Sequence, residues 1–187
     1  MESRNNELTY AVLACLFAAL ISIGAYIAIP VPGTPIPIVL QNMFIMLAAL
    51  ILGPWWSLMA VGVYLVFGLV GMPVFSGGTG GLVKFIGPTG GYLVGYLPAT
   101  ILMGIIARKG RNTFIANLVA CIAGTAVVYL FGVLRLKAVL NLETGKAMAA
   151  GLLPFLVGDS LKILLASALA PRLLQGLKTL TNEEDDA

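Results

Sequence analysis

The sequence predicts an all-α integral membrane protein, a bundle of six transmembrane helices formed by a single domain over residues 1–187. Three observations support this prediction: 59% of the residues are hydrophobic, only 10% are charged, and the mean hydropathy is +1.00. A soluble domain carries about 25% charged residues. The apolar composition continues from end to end, so the sequence indicates no separate soluble domain.

Six apolar runs are each near the length that crosses about 30 Å of hydrocarbon. The first follows a short polar N-terminus and is interpreted as a span, because it is too long for a signal-peptide core and has no clear cleavage site. Only Gly53 and Pro54 separate the second run from the third, and the tryptophans at 55 and 56 mark a membrane interface. The predicted spans are residues 8–29, 36–52, 54–71, 88–107, 113–134 and 152–172.

The basic residues indicate the orientation. Arg108, Lys109 and Arg111 form the densest short basic loop, which the positive-inside rule places in the cytoplasm together with both termini. Three stretches interpreted as irregular then lie on the outer side. They are the proline loop of residues 30–37, whose four prolines exclude helix, the glycine segment of residues 71–91, and the polar residues 135–148.

The composition also removes several classes of function. The chain has no histidine, which excludes Ser-His-Asp catalysis and histidine-containing metal sites. Cys15 and Cys121 lie in apolar runs and are interpreted as packing residues, and no cofactor is predicted. The glycine segment lacks the Gly-x4-Gly-Lys-Ser/Thr spacing of a phosphate loop. No internal repeat is visible, which indicates a subunit rather than a complete transporter.

The central feature is a charged pair, Asp159 and Lys162, within the apolar run of residues 151–169. Three residues apart on a helix, the two side chains share one face. On a continuous helix from Gly151, Asp159 would lie about 12 Å along the axis, at hydrocarbon depth. An ionisable group there costs roughly 2.5–3.5 kcal/mol and usually faces a bundle interior or a water-filled cavity. A ligand-binding pair is favoured over a self-neutralising pair that ties two helices together.

Other polar positions near the predicted outer side are further candidates. Gln41 opens the second span, and its amide suits a ureide, amide or carboxylate. Two Thr-Gly-Gly copies, residues 79–81 and 89–91, let the backbone approach a ligand, although a flexible connection is the alternative. Tyr92 and Tyr96 share a helix face, and the alternative to a ligand contact is that they anchor the helix at the membrane interface. The predicted substrate-binding residues are Gln41, Thr79, Thr89, Gly90, Tyr92, Asp159 and Lys162.

The first span carries a pair of small residues, Ala14 and Ala18, at a spacing that lets another helix approach closely. They are predicted to bind a partner helix, within the bundle or in another subunit.

Four motifs, in this order, resemble those of the BioY family, the biotin-specific S components of energy-coupling factor transporters. They are Thr-Pro-Ile-Pro leading into Leu-Gln at residues 34–41, Gly-Met-Pro-Val-Phe at 71–75, Gly-Pro-Thr-Gly-Gly-Tyr at 87–92, and Gly-Asp-x2-Lys at 158–162. The match covers nearly all six spans.

The resemblance implies a six-helix membrane protein that binds biotin from outside, in the plasma membrane of a prokaryote. It also implies a transmembrane coupling protein and two cytoplasmic ATPases as partners, and Ala14 and Ala18 resemble the Ala-x3-Ala surface that meets the coupling protein. The chemistry agrees, because Asp159 can accept from a ureido N–H and Lys162 can donate to the ureido carbonyl or to the carboxylate.

Three alternatives stay open at this point. The same fold binding another small vitamin is the nearest. An intramembrane enzyme has little support, because the chain has neither histidine nor a Gly-x-Ser-x-Gly motif. A structural or channel-forming bundle would show no saturable binding.

Overall fold

The computed structural model describes the backbone of residues 2–183 and the side-chain environment of residues 7–177. Helices dominate the described chain, and a turn of 3-10 helix, Leu153–Phe155, precedes the last one. The elements are α1 Glu2–Tyr26, β1 Ala28–Ile29, β2 Ile38–Val39, α2 Gln41–Leu69, α3 Leu82–Ile86, α4 Gly90–Lys109, α5 Phe114–Leu140, α6 Thr144–Gly151 and α7 Leu156–Glu183. Within the described residues, five helical segments are long and apolar enough to cross a membrane.

One of these five, α2, consists of two helices that fold back on each other. Gly53 has φ 77° and ψ −173°, which breaks the helix there, and glycine is the residue that adopts such a conformation at little cost. The Tyr64 hydroxyl in the second half lies against the amide of Gln41, the first residue of α2, so the halves are antiparallel. They are the predicted second and third spans, and the six-helix membrane bundle is confirmed.

The reversal in α2 is held by α4. The break at Gly53 leaves the last carbonyls of the first half without intrahelical donors, and the carbonyl of Leu52 accepts a hydrogen bond from Arg108 Nη2 at 2.9 Å. Gly104 allows the close contact, because a Cβ at this position would lie 2.5 Å from Pro54 N. The predicted boundary between spans two and three is therefore correct, and the basic stretch of residues 108–111 lies at the same end of the bundle.

The outer end of the second span differs from the prediction. Residues 36–40 are not helical, and α1 ends at Tyr26, before the predicted limit at residue 29. Instead, Ala28 pairs with Val39 and Ile29 with Ile38 in a short antiparallel hairpin, which satisfies the backbone groups of both segments. The proline loop is non-helical, as predicted, and it connects the two strands of this hairpin.

Two predictions about the last third of the chain were wrong. The stretch of residues 135–148 is mostly helical, because α5 continues to Leu140 and α6 begins at Thr144 after a left-handed Asn141. The run from Gly151 is also not one continuous helix. Pro154, which fits the first turn of a helix but not its interior, lies in the 3-10 turn before α7. Asp159 is consequently in the first turn of α7.

The glycine segment of residues 71–91 is anchored at both ends by side chains of the bundle. The Tyr26 hydroxyl at the end of α1 donates to the carbonyl of Pro73, and Arg135 of α5 donates to the carbonyl of Ile86 at the end of α3. Together with the hairpin, this segment covers one end of the bundle. The core lies below, where every residue from 45 to 54 is buried.

Candidate binding site

A cavity lies between α2, α4, α5 and α7, beneath the hairpin and the glycine segment. Its empty volume is about 860 Å³, including the space open to solvent at its mouth. Apolar side chains such as Ile45, Leu93 and Val128 line it together with a few polar groups. A mostly apolar cavity with few oriented polar groups is the usual form of a small-molecule site.

The charged pair lies in the wall of this cavity. Asp159 is 3% exposed and Lys162 8%, and Lys162 Nζ lies 2.8 Å from Asp159 Oδ1. The Tyr129 hydroxyl donates to Asp159 Oδ2 at 2.6 Å, and Lys162 Nζ donates to the carbonyl of Val39 at 2.7 Å. The pair thus ties α7 to α5 and to β2, and it also faces the cavity. The geometry therefore supports both interpretations of the pair, as a ligand-binding group and as a self-neutralising link between helices.

A second group of polar side chains lies on the α2 side of the cavity. The Tyr96 hydroxyl donates to Asn42 Oδ1 at 2.7 Å. Gln41 is 2% exposed, and although its amide lies beside the Tyr64 hydroxyl, its Nε2 makes no hydrogen bond of good geometry among the described residues. A buried donor without a partner costs about 1–3 kcal/mol. An acceptor on a ligand in the cavity would remove that cost.

A lysine side chain, Lys84, lies at the mouth of the cavity. Lys84 of α3 lines both the main cavity and a second, outer one beneath the proline loop, and Pro37, Ser76 and Thr89 also line both. The ion pairs found among the described residues are Glu143–Lys146 and Asp159–Lys162, so Lys84 is not in one. Its ammonium is therefore free to meet an anionic ligand group that enters through the outer cavity.

Comparisons with known proteins agree with this architecture. A family model described as the BioY family matches residues 1–179. The chain belongs to the BioY family. It is 37% identical over 160 residues to "Biotin transporter BioY" of Thermotoga maritima, covering 86% of this chain and 92% of that protein. It is 34% identical to the protein of the same name from Lactococcus lactis, covering 89% of each.

A solved structure has the same fold as this BioY family member. It is described as the crystal structure of the S-component for biotin from an ECF-type ABC transporter, and it superposes with a TM-score of 0.86 at 31% identity. The match covers 91% of this chain and 93% of that one. The proteins of the family are named as transporters, so a transport subunit and not an enzyme is indicated.

Five of the seven predicted binding residues of this BioY chain line the cavity. They are Gln41, Thr89, Tyr92, Asp159 and Lys162. The Tyr92 hydroxyl donates to the carbonyl of Gly151 at 2.7 Å, so this tyrosine also fixes α4 to the end of α6.

The other two predicted residues, Thr79 and Gly90, are not among the residues that line the cavity. The Thr79 hydroxyl donates to the carbonyl of Ser76, and its backbone pairs with Phe75, so it closes the turn at Gly77 and Gly78. A Cβ at Gly90 would lie 1.8 Å from the carbonyl oxygen of Phe85, so glycine here lets α3 pack against the start of α4.

The predicted docking surface on α1 needs a correction. Ala14 and Ala18 are each 4% exposed and belong to the hydrophobic core, so they face the bundle and cannot form an exposed surface for another subunit. Their small size serves the packing of α1 within the chain. On the face of α1 that points away from the bundle, which we call the outer face of α1, the small residues are instead Cys15 and Ala19, which are exposed, and Ala11, which is partly exposed.

Sequence reasoning did not identify Tyr129 or assign a ligand role to Lys84. A carboxylate buried in hydrocarbon needs hydrogen-bond donors, so a hydroxyl on another span could have been predicted as a partner of Asp159. Its position, 30 residues before Asp159, is uninformative until the packing of α5 against α7 is known. Lys84 is the single charge of the glycine segment, which by itself does not indicate a ligand role.

Proposed function

We propose that this protein is the biotin-binding S component of an ECF-type vitamin importer. The observation that carries the proposal is the hydrogen-bonded cluster of Asp159, Lys162 and Tyr129, buried in the wall of an apolar cavity that opens at one end of a membrane bundle. The relatives named as biotin transporters and the similar S component for biotin support the choice of ligand.

Biotin combines a ureido ring, an apolar bicycle and tail, and a carboxylate, and the cavity offers a different environment for each. Lys162 is neutralised by Asp159, which makes the deep wall unsuitable for a second carboxylate. Lys84 at the mouth has no acidic partner among the described side chains and suits the biotin carboxylate. The ureido N–H groups then reach the carboxylate of Asp159, and the apolar walls cover the rings.

The orientation in the membrane follows from the basic residues. The cavity opens at the end opposite Arg108, Lys109 and Arg111, which we place in the cytoplasm with both termini. The cavity then opens to the outside of a prokaryotic plasma membrane, and the whole chain serves as one substrate-binding domain.

The partners we infer are a transmembrane coupling protein and two cytoplasmic ATPases. The sequence contains no phosphate-loop motif, so energy for uptake would come from those partners. We assign the docking surface to the outer face of α1 formed by Ala11, Cys15 and Ala19, because small side chains there allow a close helix contact and are open on the described chain.

Titration calorimetry of the purified protein in detergent tests the function. Biotin should bind saturably at one site, whereas thiamine and riboflavin should give no binding heat. Saturable binding of one of those vitamins without biotin would assign the fold to another ligand. No saturable binding of any of them, by protein that unfolds cooperatively, would favour a structural bundle.

A further inference from the structure

Thr125 of α5 has a buried hydroxyl that is not bonded to its own helix. The residue is 8% exposed, it lines the cavity, and its Oγ1 has no hydrogen-bond partner among the described residues. A hydroxyl in a helix usually donates to the carbonyl four residues earlier when no better acceptor is available.

Other helical hydroxyls of this chain follow that rule and serve as an internal comparison. Thr100 donates to the carbonyls of Tyr96 and Leu97, both at 2.9 Å. The same bond to the carbonyl four residues earlier is made by Ser22, Ser57, Ser160 and Ser167. Thr125 departs from this pattern and leaves its hydroxyl available to the cavity.

The position of Thr125 defines the inner end of the cavity. On α2, α4 and α5 the lining residues nearest the Arg108 end are Met46, Met103 and Thr125, and we call these three residues the floor. The corresponding residue of α7 is Lys162, whose ammonium is held by Asp159 and by the carbonyl of Val39 in β2. Met103 packs against α5, because a Cβ at Gly124 would lie 2.3 Å from its Cγ. Thr125 therefore brings a single hydroxyl into a floor whose other two side chains are thioethers.

The chemistry of the floor selects the part of a ligand that it can meet. A carboxylate would need a cation, but Lys84 is at the mouth and the ammonium of Lys162 is already bound by Asp159 and by the carbonyl of Val39. A neutral carbonyl oxygen is a good acceptor for one hydroxyl, whereas a thioether sulfur is a weak one. Thr125 lies four residues, about 6 Å along the axis at 1.5 Å per residue, closer to the Arg108 end than Tyr129 and on the same face of α5. One ureido group can therefore meet Asp159 through an N–H and Thr125 through its oxygen.

We propose that Thr125 is a further ligand-contacting residue, whose hydroxyl donates a hydrogen bond to the ureido oxygen of bound biotin. This inference rests on the proposed function and adds a specificity determinant to it. The unpaired hydroxyl lowers the stability of the empty protein, and the ligand supplies the missing acceptor.

The test compares Thr125→Val with Thr125→Ser and with Thr100→Val, using calorimetry and thermal unfolding in detergent. Thr125→Val should weaken biotin binding about five- to tenfold, while the empty variant unfolds at the same temperature as the wild type or a higher one. Thr125→Ser keeps the hydroxyl and should restore the affinity. Thr100→Val, which loses a hydroxyl bonded within its own helix, should bind biotin as the wild type does.

Two analogues identify the atom that Thr125 contacts. Desthiobiotin keeps the ureido group without the thioether, so Thr125→Val should weaken its binding as much as that of biotin. For 2-thiobiotin, whose thiocarbonyl is a poorer acceptor, the loss should be smaller. Wild-type affinity of Thr125→Val for biotin, or an effect that disappears with desthiobiotin, would overturn the inference. Failure of the wild type to bind biotin would instead refute the proposed function.

Discussion

The Tyr129 hydroxyl donates a hydrogen bond to Asp159 Oδ2 across 2.6 Å and so joins α5 to α7 in the wall of the cavity. The other carboxylate oxygen is held by Lys162 at 2.8 Å. Each oxygen still has a lone pair, so the carboxylate is fixed in position and can accept from a ligand as well. A group that is oriented before binding loses little conformational freedom when the ligand arrives.

The charged pair supports separate predictions for stability and for binding. Asp159→Asn and Lys162→Met should each lower the free energy of unfolding by about 3–5 kcal/mol, since each leaves a buried charge unpaired. Each should also weaken biotin binding by at least about 1.5 kcal/mol. Thermal unfolding and calorimetry in detergent measure the two effects independently.

The double variant Asp159→Asn/Lys162→Met separates the two interpretations of the pair. With no charge left unpaired, it should recover much of the lost stability. It should not recover biotin affinity, because the carboxylate that accepts from the ureido N–H is gone. Wild-type affinity in a folded double variant would show that the pair is purely structural.

Lys84 should recognise the charged end of the ligand. Lys84→Met should weaken biotin binding by about 1 kcal/mol, a modest loss because the group is only partly buried. The uncharged amide of biotin should bind the variant and the wild type equally well. Lys146→Met is a matched control, because Lys146 lies near the same end but is well exposed and paired with Glu143. An equal loss for biotin and its amide would argue against a carboxylate contact.

The outer face of α1 should carry the contact with the coupling protein. Ala19→Trp should leave biotin binding intact and abolish co-purification with that subunit, because the indole prevents close helix approach. Ile122→Trp, at an exposed position of α5, is the control and should assemble normally. Ala14→Trp should instead destabilise the protein by about 1–3 kcal/mol, since it overpacks the core. Normal assembly of Ala19→Trp would remove this face from consideration.

Biotin should slow hydrogen exchange at the outer end of the bundle. Residues 77–81 and α3 should be protected, with a smaller contribution from the proline loop of residues 30–37, whose prolines carry no amide hydrogen. Glycine gives the empty segment many conformations, so closure over the ligand costs entropy that binding must offset. Residues 108–111 should change little. Equal protection at both ends of the bundle would contradict an outer lid.

The sequence was sufficient to predict the spans because burial in hydrocarbon demands long apolar runs. It also predicted that Asp159 and Lys162 would face the bundle interior, where they line the cavity, since charges within such a run are costly. The two-residue strands were beyond prediction, because a hairpin with eight residues between its strands has no local pattern. Pro154 did signal the start of a helix, but the apolar run around it favoured a continuous one.

The faces of the helices could not be predicted from spacing alone. Ala14 and Ala18 form one small-residue stripe on α1, and Ala11, Cys15 and Ala19 form another. Which stripe faces inward depends on where α2 packs, and α1 is apolar on all sides. Sequence spacing also could not single out Thr125, because an unpaired hydroxyl is recognised only when the positions of the neighbouring acceptors are known.

The reversal at Gly53 constrains how the chain enters the membrane during synthesis. The first half of α2, residues 41–52, is about 18 Å long at 1.5 Å per residue, well short of the roughly 30 Å hydrocarbon layer. No hydrophilic connection separates it from the second half, so the two halves must insert together as one helical hairpin. Residues 45–52 are buried by protein on every side. This segment is therefore surrounded by the rest of its own chain and not by lipid. It reaches its final surroundings only after α4 has been synthesised.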